Sequence, residues 1–123
     1  MLRFRNLVMV VISVCMLSVS NSVLAEGKKL TGDEIKKLFI GKTCDGHNTI
    51  KDKNYMLFTK SDSTVVHSKF DEIEWEVNDD EHCIHLKKLR CGTIHDMGDG
   101  VYHKMNNGEH INTLKNFRDG NDL

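Results

Sequence analysis

From Lys42 onward, apolar and polar residues alternate in short runs separated by polar clusters. The clearest run is Glu72 to Val77, where Ile73, Trp75 and Val77 fall on one side and Glu72, Glu74 and Glu76 on the other. Successive strand side chains point to opposite faces, so this pattern predicts a strand with one dry and one wet side. Comparable runs predict further strands at about Lys42 to His47, Asn54 to Thr59, Thr64 to Lys69, His82 to Leu86, Arg90 to His95, Val101 to Met105 and His110 to Asn116. The segments between them hold turn chemistry: Lys60-Ser61-Asp62-Ser63, Asn78-Asp79-Asp80-Glu81, Gly98-Asp99-Gly100 and Asn106-Asn107-Gly108. Strands spaced at about eight to ten residues belong to all-β sandwiches and barrels.

A different period precedes them. Ile35, Leu38 and Phe39 lie at helical spacing behind Thr31-Gly32-Asp33-Glu34, a sequence able to form a capping box, and Gly41 supplies a stop. The prediction is one short amphipathic helix that must pack on something larger. Together these elements predict a mainly β fold: an antiparallel up-and-down β-barrel or β-clam of about eight short strands, with the helix plugging or flanking one open end.

The start of the chain follows neither pattern. Leu7 to Leu17 is apolar except for Ser13, Arg3 and Arg5 precede it, and Val23-Leu24-Ala25 follows a small polar stretch. That order predicts a secretory signal peptide at residues 1–25, cut before Glu26. An apolar run of about eleven residues falls short of the ~20 needed to cross a bilayer. Removing residues 1–25 from the 123 leaves 98, a single small domain spanning 26–123 and expected to be periplasmic or secreted, without stable membrane insertion. Loss of Arg3 and Arg5 leaves 15 basic against 18 acidic residues, a net charge of −3 with histidines neutral. This balance predicts no nucleic-acid partner and no overall attraction to anionic lipid.

An oxidising compartment makes cysteines pair. Cys83 and Cys91 are the closest pair and the expected disulfide, which leaves Cys44 as a buried free thiol.

Leu30-Thr31-Gly32-Asp33-Glu34-Ile35, then Trp75-Glu76-Val77, Cys83-Ile84, Cys91 and Asp96-Met97-Gly98-Asp99-Gly100-Val101-Tyr102 form a series of short motifs. In this series the chain resembles small exported bacterial proteins of lipocalin-like or related small β-barrel type, most of them of unknown function. The likeness spans about two thirds of the 26–123 segment. It implies fold and export and transfers no catalytic residue.

All seven histidines lie in the 26–123 segment. His82 and His85 are three apart, so on one strand they face opposite ways and cannot share an ion. A metal site assembled across strands from His85, His95 and His103 is one expectation, set against ordinary exposed histidines. Cys44 and His47 could pair as nucleophile and base, but no cysteine-hydrolase signature or oxyanion element accompanies them. Asp96 to Gly100 lacks the ligand series of a calcium loop and reads as a hairpin corner. No phosphate-binding loop, nucleophile elbow or dinucleotide fingerprint occurs. The sequence therefore predicts no enzyme and no cofactor. The expected function is a binding module for a small molecule, peptide or envelope component, with Tyr55, Phe58, Trp75 and Tyr102 as wall aromatics. The alternative is an interaction, inhibitor or accessory protein without a ligand cavity.

Overall fold

The computed structural model describes residues 27–123, and the signal peptide expected at residues 1–25 lies outside them. The first described elements are a two-residue strand β1 (Lys28–Lys29) and a helix α1 (Gly32–Phe39). Eight strands follow: β2 (Lys42–Asn48), β3 (Lys53–Thr59), β4 (Thr64–His67), β5 (Asp71–Asn78), β6 (Glu81–His85), β7 (Leu89–Asp96), β8 (Tyr102–Asn106) and β9 (Glu109–Asp119). Each of these pairs antiparallel with the next, and β9 returns to pair with β2, so the eight close into a barrel. Closure leaves no free edge within the ring. The short β1 was not legible as a strand; it adds on at β7, with Lys29 opposite His95.

Alternation decides what enters the barrel. Leu57 and Thr59 on β3, Val65 on β4, Trp75 on β5 and Ile94 on β7 are buried on the inner face, while Glu72, Glu74 and Glu76 stay in water. Two glycines answer to close packing rather than to turns. A Cβ at Gly46 would run into the Tyr55 ring, and one at Gly92 would sit 2.6 Å from the Met105 carbonyl oxygen and 2.9 Å from the Lys104 stem. Each lets a large inward side chain lie flat across the neighbouring strand. A register shift between β2 and β9 places one extra residue on β9, beside Asn116 at φ 56°. This bulge carries β9 on past the expected end at Asn116 and brings Phe117 back to the core.

The helix closes one end. Thr31 caps it as the sequence implied: the Glu34 N–H donates to Thr31 Oγ1, and the Thr31 N–H donates to Glu34 Oε1. The Gly32 N–H also donates to Asp80 Oδ1 at 2.8 Å, tying the helix start to the β5–β6 turn. Ile35 and Phe39 are fully buried, and Phe39 meets the rings of Trp75, His82 and Phe117. Cys83 and Cys91 face each other across β6 and β7 and form a disulfide.

Candidate functional site

Because the strands run up and down, the hairpins β2–β3, β4–β5, β6–β7 and β8–β9 all lie at the end opposite the helix. There the core stops short, leaving an open cavity of about 690 Å³. Its apolar walls include Leu57, Ile84, Leu86, Ile111 and Leu114. An aromatic run climbs one side, where Tyr55 stacks on His67 at 5.1 Å and His67 meets Phe70 at 4.7 Å. The Tyr55 hydroxyl accepts from Asn112 Nδ2 at 2.8 Å, and burial pushes its pKa up.

Charge in this cavity is one-sided. Lys51, Lys53, Lys69, Lys88, Arg90 and Lys104 line it, against Glu109 as its one acid. Lys104 is 5 % exposed. Its stem crosses Gly92, and its Nζ lies 3.1 Å from His82 Nδ1 and donates to the Arg90 carbonyl at 3.2 Å. Burial lowers the Lys104 pKa to about 7, with Glu81 opposing and Arg90 reinforcing the shift. Burial likewise holds His82 well below its ordinary value, and Lys104 adds to the effect. The cavity therefore offers two buried polar groups whose charge is withheld by lack of solvent, a setting that favours an incoming partner able to supply the missing counter-charge.

The four aromatics expected at a ligand separate. Tyr55 lines the cavity. Trp75 is buried in the core toward the helix, its Nε1–H donating to the Ser61 carbonyl at 2.7 Å. Tyr102 packs edge-on against Phe117 in the same region. Phe58 lies between the inward Leu57 and Thr59 and so faces outward. Only the tertiary structure tells which end of the barrel the helix fills, and that decides which aromatics remain for a ligand. Lys104, His82 and His67 were not expected here; the one sequence signal was Lys104 at an inward parity of β8.

The histidine triad is corrected by register. His95 and His103 do stand opposite one another on β7 and β8. His85, however, pairs with Leu89 at the far end of the β6–β7 ladder, and its Nε2 sits 2.7 Å from Glu76 Oε1. The third member on the outer face is His110, whose ring stacks on His103 at 3.7 Å. Burial and the neighbouring His110 and His95 lower the His103 pKa. Among the described residues, no group of three His, Cys, Asp or Glu side chains has the geometry to hold a metal ion. Cys44 points inward at 1 % exposure, and burial raises its pKa to about 12. His47 bonds instead to Asn54 and Asp52, so the two do not form a nucleophile and base.

Fold and site thus define a small closed β-barrel with one plugged end and one open, cationic, apolar-walled end. No family model matches the chain, and no curated protein or solved structure matches it either.

Proposed function

We propose that this protein is an exported, lipocalin-like carrier or capture protein that binds a small amphipathic molecule with an acidic group in the open end of its barrel, without catalysing a reaction. The observation that carries this reading is the cavity itself: about 690 Å³, apolar in its walls and lined by five exposed basic side chains and the buried Lys104 against one acid, in a chain whose overall charge is negative. Pockets of roughly 300–1,000 Å³ suit single small ligands. Apolar walls favour a hydrocarbon body, and the cations favour an anionic group while repelling a cationic one. The alternative of an interaction protein without a cavity called for a packed interior, and the open end weighs against it. Export is supported by the Cys83–Cys91 disulfide together with the n-region and h-region pattern of residues 1–25.

Calorimetric titration with decanoate tests the proposal. One saturable site per chain is expected, with decyltrimethylammonium, of matched tail and opposite charge, binding at least about tenfold more weakly. No saturable heat with decanoate, or equal affinity for both amphiphiles, overturns it.

A further inference from the structure

Three of the four hairpins around the open end carry the same two-residue device. Ile50-Lys51 lies on β2–β3, Lys69-Phe70 on β4–β5, and Lys88-Leu89 on β6–β7. The apolar member is held in water in each case: Ile50 is 66 % exposed, Phe70 57 % and Leu89 52 %. Three of the four large exposed hydrophobics of the described residues therefore gather at one end of the barrel, each beside a lysine. Single exposed apolar residues are commonplace, but three on separate hairpins at the same end form a shared surface. Lys53, Lys87 and Arg90 extend the positive side of this end, and Asp52, Asp71 and Glu109 are its acids, so six basic residues face three. Asp52 is further engaged by His47 Nε2 at 3.2 Å. The fourth hairpin, Asn107-Gly108, has no apolar tip, so the surface comprises the other three.

We infer that the open end of the barrel docks reversibly on the surface of an anionic lipid bilayer, with Ile50, Phe70 and Leu89 entering the headgroup boundary and the adjoining lysines pairing with acidic lipid headgroups. Charge complementarity selects this occupant over a neutral apolar partner, since every apolar tip comes with a cation next to it in the chain. The insertion is shallow: side chains at hairpin tips reach the interface, whereas a span needs a long apolar helix or a lipid-facing barrel, and the outer face of β5 carries Glu72, Glu74 and Glu76. Lysine stems can lie along the apolar boundary while their ammonium groups reach the phosphates. Docking this end would set the cavity against the membrane, where an amphipathic ligand can pass between them. The inference rests on the hairpin tips and stands whatever fills the cavity.

The test is co-sedimentation of the purified protein, disulfide intact, with phosphatidylcholine vesicles with and without phosphatidylglycerol. Binding is expected to the vesicles containing phosphatidylglycerol, falling steeply as salt is raised. The exposed-site variant Ile50→Ser/Phe70→Ser/Leu89→Ser, and separately Lys51→Glu/Lys88→Glu, should each lose at least about tenfold in vesicle affinity. In a Phe70→Trp variant, vesicles should shift the added fluorescence to shorter wavelength. Absence of binding to acidic vesicles at low salt, equal binding to both vesicle types, or an unshifted Trp signal overturns the inference. Decanoate titration of the unsubstituted protein without vesicles reads the cavity by itself, because Lys51 and Lys88 also line it, so failure of either reading is recognised independently of the other.

Discussion

Lys104 concentrates the physical tension of the molecule in one side chain. A lysine that is 5 % exposed gives up its hydration, and its partners are a neutral imidazole and a backbone carbonyl rather than a carboxylate. The neutral amine is therefore favoured, and the pKa falls from 10.5 to about 7. Between those values the unfolded chain binds a proton that the folded chain has released, so stability must rise with pH across that window, by up to about 1.4 kcal/mol per unit. Cys44 acts in the opposite sense. Its thiol, held up to about 12, keeps its proton after the unfolded thiol has ionised near the ordinary value of 9.0, so the gain flattens above that pH. Urea unfolding at pH 7, 8 and 9 should show the wild type gaining about 2 kcal/mol relative to Lys104→Met over this range. Parallel pH profiles for the two proteins would mean that Lys104 is not held neutral. Gly92 belongs to the same arrangement, since a side chain there would meet the Met105 carbonyl and displace the lysine stem.

Among the elements, α1 does most to divide the molecule into a filled end and an open one. Eight residues make a marginal helix in isolation, and this one is stabilised by its capping box, its tie to Asp80 and the burial of Ile35 and Phe39. Phe39→Ala removes the ring that touches Trp75, His82 and Phe117. The expected cost is about 3–5 kcal/mol in chemical unfolding, since a cavity among three packed rings cannot collapse. A loss under about 1 kcal/mol would show the helix to be an ornament rather than a plug. These elements were largely legible. Thr31, Glu34 and the Ile35–Phe39 spacing announce the helix, and Asp79, Asp99 and Asn107 adopt the positive φ that their turns demand. The register of pairing was not legible, because β9 hides a bulge at Asn116 that no turn residue advertises.

At the scale of the whole molecule, ring closure and one covalent link limit what the chain can do when it opens. The disulfide joins partners on adjacent strands and encloses a short loop, so its chain-entropy contribution is modest, about 2.5 kcal/mol. Replacing both cysteines, Cys83→Ala/Cys91→Ala, should lower the unfolding free energy by about that amount and leave the far-UV circular dichroism of the folded state unchanged. A loss near zero would indicate that β6 and β7 stay together when the rest unfolds. Charge also changes meaning at this scale. The sequence total is mildly acidic, yet folding sends Glu72, Glu74 and Glu76 to the barrel wall and gathers lysines from separate hairpins at one end. A partner that senses only that end meets a basic protein.

Alternation of side chains, helical spacing and turn chemistry are local properties. They were enough for the sequence alone to specify a mainly β, antiparallel barrel or clam with one capped helix, while expected export and closeness in the chain pointed to the Cys83–Cys91 bridge. Which face of a strand reaches the cavity depends on long-range pairing, and only the tertiary structure decided it. Closure set His95 and His103 together and sent His85 to Glu76. Insertion of Phe39 at one end took Trp75 and Tyr102 into the core and left Tyr55, His67, His82 and Lys104 to line the other. The reason is physical: strand parity fixes a side, but depth along a barrel and the filling of its ends are settled by contacts between residues far apart in the chain.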